Sequence, residues 1–188
     1  MKVLVLVHPG SVFVSGSAEV ADWKLAEVIG GIFEDIEAAD GLIVIDGAFS
    51  ERVPSGLTRA IAAKLETAAA RSMLAARVWG CDSGEAPYPG WEGRAGGFGL
   101  QHADQEAAAL AAAGKLLDAQ EVIVSGAWAT RDGSSGCASS VLTALQAELP
   151  SGVTLRLSGN CLFEEYIEEF SVFDELPEGE GADHGGLC

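Results

Sequence analysis

The chain has no closely spaced cysteine pair, no long apolar segment and few basic residues, and each absence removes a class of function. No run of residues approaches the ~20 apolar positions of a membrane-spanning helix. The apolar run at residues 3–7 stops at His8-Pro9-Gly10, well short of a signal peptide. Cytoplasmic residence is the resulting expectation. The four cysteines, Cys81, Cys137, Cys161 and Cys188, show no CxxC spacing, which argues against a zinc knuckle and leaves them as free thiols. Histidines number three, and a zinc site assembled from His8, Cys81, His102 and Cys137 has no support from spacing, so no metal is expected.

Eleven Lys plus Arg stand against 28 Asp plus Glu, a formal charge of −17. Such a chain repels phosphate backbones and anionic lipid unless a basic patch offsets it. The densest basic stretches are Arg52 with Arg59 and Arg71 with Arg77. They read as amphipathic helical sequence facing solvent, so neither nucleic acid nor membrane is an expected partner. Neither a P-loop nor a G-x-G-x-x-G fingerprint is present, and no cofactor is expected.

What is present suits one soluble domain. In 188 residues, 48% are hydrophobic and 21% charged, enough to build a core without disulfides. Residues 3–7 and 42–47 are continuous apolar runs, as expected of strands covered on both faces. Residues 76–81 form a weaker third run, 121–126 a strong fourth, and 153–159 a fifth that Arg156 marks as an edge. Between them, segments 18–38, 58–72, 103–119 and 138–149 are rich in Ala, Leu, Glu and Lys and predict helices. In the third, Ala107, Leu110, Ala111, Gly114 and Leu117 mark the face expected against the sheet.

Strands alternating with helices predict a three-layer, doubly wound α/β fold. Its mostly parallel five-stranded sheet is expected in the order 3-2-1-4-5. The domain is expected to occupy residues 1–176. Residues 82–100, dense in glycine and proline, predict a long loop, and residues 177–188 an acidic, glycine-rich tail.

Ligands of open parallel sheets collect at the carboxyl ends of the strands, above all where strand order reverses. That rule selects His8 and Ser11 after the first strand, Asp46 after the second, Trp79 at the end of the third, and Asn160 after the fifth. After the fourth it selects Trp128, Thr130, Arg131, Asp132, Ser134 and Cys137. The small residues of segment 130–137 can expose backbone N–H groups to an anion, and a cysteine at the start of a helix loses its proton more readily. His8 as base, Asp46 or Asp132 as its orienting group and Cys137 as nucleophile make one constellation. Trp79, Trp91 and Trp128 make another, as aromatic walls for a planar heterocycle. The plainer alternatives are a strand-end histidine bonded to backbone, a turn-forming aspartate, a buried cysteine and tryptophans that fill gaps.

Segment 7–17, with Phe13 and Gly16, and the passage Gly126, Thr130, Cys137 resemble the isochorismatase-like cysteine hydrolases, the group that includes nicotinamidases. The resemblance implies the α/β fold and a nucleophilic Cys137. His8 stands where that family carries its catalytic aspartate, and no lysine follows the third strand. Three functions therefore stay open: a small-molecule hydrolase or transferase using Cys137, a non-catalytic binder of a nucleotide-like or other small molecule, and a structural or protein-interaction domain. A homo-oligomer is compatible with each.

Overall fold

Strand β1 (Lys2–Val7) is the middle of the fold because it has nothing polar to keep in water between Val3 and Val7. Those five residues are at most 1% exposed. Burying each such side chain contributes about 2 kcal/mol, so the run is stable only with cover on both faces. In this computed structural model, which describes residues 1–10, 20, 22–47, 52–80, 101–102 and 105–168, that cover is complete. The chain continues through α1 (Asp22–Ala38), β2 (Gly41–Asp46), α2 (Ser55–Ala70), β3 (Ala75–Gly80), β4 (Gln101–His102) and α3 (Gln105–Ala113). It then forms β5 (Glu121–Gly126), α4 (Cys137–Glu148), β6 (Thr154–Leu157) and a helical turn α5 (Glu165–Glu168).

The sheet runs β4-β3-β2-β1-β5-β6, and all of its pairings are parallel. Counting the five strands expected from sequence, the order is 3-2-1-4-5, as predicted, with the two-residue β4 added beside β3. Right-handed crossovers force the layers. Moving outward from β1 through β2 to β3 places α1 and α2 on one face, and moving back through β5 to β6 places α3 and α4 on the other. Arg156 does lie on an edge strand, where it pairs with Glu121 at 2.9 Å. The predicted loop at 82–100 and tail at 177–188 lie outside the described residues.

Two expectations need correction. Helix α3 buries Ala108, Ala109, Ala112 and Ala113, with Leu116 and Ala119 just beyond it, while Leu110 is 49% and Leu117 53% exposed. The stripe expected to face the sheet is therefore the outer one. Two stripes of similar apolar content run along this helix, and the alanine stripe wins because small side chains let the helix approach α4 and the sheet closely. Arg77, expected on a solvent-facing helix, is instead on β3 and only 2% exposed. Its register partner is Val44, so it shares a face with Asp46 two residues further on, and its Nε donates to the Asp46 carboxylate. A buried cation is tolerable in a sheet only with such a partner.

Two further ties fix the helices. Ser125 of β5 and Ser158, the residue just beyond β6, donate to Asp35 of α1 at 3.0 and 2.6 Å. Lys64 of α2 donates to the carbonyls of Glu37 and Ala39 at 3.2 and 2.7 Å. That ammonium serves the C-terminus of α1, whose own last turn has no basic residue.

Strands β1 and β5 approach so closely at their carboxyl ends that residue 126 must be glycine. Its φ is +122°, and a Cβ there would lie 2.0 Å from the Val7 carbonyl oxygen. Gly126→Ala is expected to destabilise the protein by at least about 3 kcal/mol. Gly30→Ala, on α1 where an added Cβ meets nothing within 4 Å, is expected to stabilise it by about 0.5–1 kcal/mol. Urea unfolding of the two variants checks the pair; equal effects would contradict the packing described.

Candidate functional site

The strand order reverses between β1 and β5, and it is at the carboxyl ends of such a pair that open parallel sheets form their ligand crevice. His8 is the first residue beyond β1. Its N–H still donates to the Ile45 carbonyl at 2.8 Å, as a strand residue would, but its φ of +43° turns the chain out of the sheet. A left-handed backbone costs a non-glycine residue roughly 1–2 kcal/mol, and such outliers mark functional positions. Trp128, two residues beyond β5 on the other side of the crevice, has the same strain at φ +52°. It is half-buried.

The His8 ring is 1% exposed, and neither of its nitrogens has a hydrogen-bond partner among the described residues. It lies against Gly47, where a Cβ would come within 2.5 Å of Cδ2 and 2.7 Å of Nε2. Only glycine leaves room for that ring edge. Burial pushes the imidazole down to about 4, so it is neutral at physiological pH. A neutral imidazole offers one donor and one acceptor, and leaving both unmade costs free energy that folding alone does not repay.

Asp46, at the end of β2, is fully buried and held by Arg77. No hydrogen bond joins His8 to Asp46 or to Cys137. Cys137 opens α4 and is half-buried; the N-cap is Gly136, which makes no side-chain cap. Gly136 has φ +95°, and a Cβ there would lie 2.3 Å from the Trp128 carbonyl oxygen. That same oxygen accepts from Ala138 N at 3.0 Å, so Trp128 fixes where α4 begins. Cys161, by contrast, is fully buried, and desolvation pushes its thiol up to about 12.

The loop between Trp128 and Cys137 folds around its own side chains. Thr130 Oγ1 accepts from Ser134 N at 2.9 Å and Ser135 N at 3.0 Å, and the Thr130 carbonyl accepts from Gly133 N at 3.0 Å. Asp132 Oδ1 accepts from both the amide and the hydroxyl of Ser134, at 3.0 and 2.7 Å. Hydrogen bonds from Thr130 and Ser134 hold this carboxyl down at about 2. Three of the amides expected from sequence to meet an anion, those of Gly133, Ser134 and Ser135, thus bond within the loop, beside its own carboxylate.

Arg131 leaves the loop to reach α5. It pairs with Glu165, donates to the Tyr166 hydroxyl at 3.2 Å and lies 4.3 Å above the Phe163 ring. Lys24 of α1 covers the Tyr166 ring at 4.3 Å and pairs with Glu27 at 3.1 Å. Together these contacts stitch α1, the loop and α5 along the rim. Asn160 is a clamp on the same side: its Nδ2 donates to the Gly31 carbonyl at 3.0 Å, where only glycine fits beneath it.

The structure therefore brings His8, Asp46, Trp128 and the segment from Thr130 to Cys137 to one end of the sheet. Ser11 and Trp91 lie outside the described residues, and Trp79 is described by its backbone alone, opposite Asp46. Sequence reading missed Arg77 as the partner of Asp46, and also the Asp35, Ser125 and Ser158 network. A serine and an arginine within apolar strands were the available signals. Among the described residues no cluster of three metal-ligating side chains occurs, and no helix is long and apolar enough to cross a membrane. A separate cleft of about 410 Å³ lies between α4 and the start of β6, at the opposite end of the sheet, lined by Leu142, Leu149, Pro150 and Val153. No protein-family model, curated protein or solved structure matches this chain.

The depressed His8 pKa has a sign. Between pH 6.5 and about 4 the unfolded chain binds a proton that the folded chain refuses. Stability is then full above pH 6.5 and falls as pH drops through this window, by about 3 kcal/mol in all. His8→Asn, which also tolerates left-handed backbone, is expected to lose that part of the pH dependence. Urea melts at intervals across the window measure it; an unchanged slope in the variant would contradict a buried neutral imidazole.

Proposed function

We propose that the chain binds a small molecule in the crevice between the ends of β1 and β5, with His8 as the recognising side chain. The observation that carries this reading is the His8 ring itself, which is buried, neutral and bonded through neither nitrogen. Buried polar groups of a purely structural kind find partners. One kept bare beside a strained backbone at a topological switch point has the character of a group reserved for a ligand. Trp128, half-buried on the opposite side, supplies an apolar wall.

A second reading, the hydrolase or transferase implied by the resemblance to isochorismatase-like enzymes, is favoured by the place of Cys137. Its thiol is half-buried at the first turn of a 12-residue helix, where the helix dipole favours thiolate. In that reading the bound molecule is an acyl compound: Cys137 passes its proton to His8 as its sulfur attacks the carbonyl carbon, the leaving group departs with that proton, and water or a second acceptor then takes the acyl group from sulfur.

Both readings are tested by screening a chemically diverse set of small molecules for thermal stabilisation. A ligand present at a hundred times its Kd adds about 2.7 kcal/mol, and that gain is expected to vanish in His8→Asn. Stabilisation that survives intact in the variant would remove His8 from the site. Turnover of a stabilising compound that is lost in Cys137→Ala, with binding kept, selects the enzyme reading over the binding one.

A further inference from the structure

The groups around this crevice also set the charge of what it accepts. Gly133, Ser134 and Ser135 give their amide protons to Thr130 and Asp132. The loop thus carries an exposed carboxylate of its own, Asp132, which an incoming anion would meet as a like charge. The cation of that loop, Arg131, is engaged by Glu165, and Arg77 by Asp46. His8 brings no charge, and the chain around it carries a formal −17. A carboxylate or phosphate moved to the buried His8 ring would shed its hydration while Arg77 and Arg131 stay with their own carboxylates. An uncharged amide, lactam or hydroxyl has little hydration to lose and completes a bond that the ring lacks.

We infer that the crevice takes an uncharged ligand, which presents a neutral hydrogen-bonding group to His8, and that it rejects the carboxylate- or phosphate-bearing counterpart. This rests on the ligand-binding reading above and narrows it. The selectivity is built from two arginines already paired with carboxylates together with a fixed negative charge on the loop, so discrimination comes as much from repulsion as from contact.

Matched pairs of nearly the same shape separate charge from fit: acetamide with acetate, and uracil with orotate. Histidine labelled with ¹⁵N reports the ring nitrogens of His8 at pH 7.5, assigned by their loss in His8→Asn. The expected result is that acetamide or uracil shifts the His8 nitrogens, while the anion of the pair needs at least about tenfold higher concentration. Equal or stronger shifts from acetate or orotate would overturn the uncharged class and leave the ligand site standing. If no member of either pair moves His8, the inference and the ligand-binding reading both fail. Shifts of the same size at His102 and His184 would mark a non-specific solvent effect and count against both.

Discussion

Everything in this fold is arranged around one crowded strand. β1 is covered on both faces and paired along both edges, so the chain has a single way out of the sheet, past Val7. On one side Gly126 closes against the Val7 carbonyl, where a side chain would collide. On the other, Gly47 closes against His8. His8 must then reverse the backbone inside a space that its neighbours have already shaped, which is why it sits at φ +43° with its ring buried. The same crowding holds Trp128 at φ +52° and starts α4 at Cys137. Strain is concentrated at the crevice because the core below it cannot yield.

Electrostatics follow the same division. A chain with a formal charge of −17 would repel itself most strongly where acidic side chains converge. At the crevice rim the acids have partners: Glu165 with Arg131, Glu27 with Lys24, and Asp132 with the hydroxyls and amides of its own loop. Deeper in, the buried Asp46 and Arg77 balance each other. The consequence is a strand end whose charges are paired, with the His8 ring buried and bonded to no partner among the described residues. A buried pair such as Asp46 with Arg77 adds little net stability, but removing one partner leaves an uncompensated charge, so it fixes the geometry of β2 against β3.

Strand positions and their order were legible because continuous apolar runs, broken by His8-Pro9, Asp46-Gly47 and Ser125-Gly126, leave few ways to pair. The facing of α3 was not, since alanines on one stripe and leucines on the other compete and only packing distance decides. His8, Asp46 and Cys137 could be placed at strand ends from the sequence, yet their bonding could not. Asp46 takes a partner 31 residues away, and Asp35 gathers serines 90 and 123 residues distant. Whether the loop after Trp128 offers its amides outward or spends them on Thr130 is a matter of turn geometry that residue types leave open.

If His8 is kept for a ligand at the expense of stability, the unfolding free energy of His8→Phe at pH 7.5 will show it. Phenylalanine fills nearly the same space and has no polar atoms to leave bare. The account predicts a variant as stable as the parent or more so, by about 1–2 kcal/mol. A loss of 2 kcal/mol or more, with Gly47 and the fold intact by NMR, would show that the imidazole is a structural group and contradict the account.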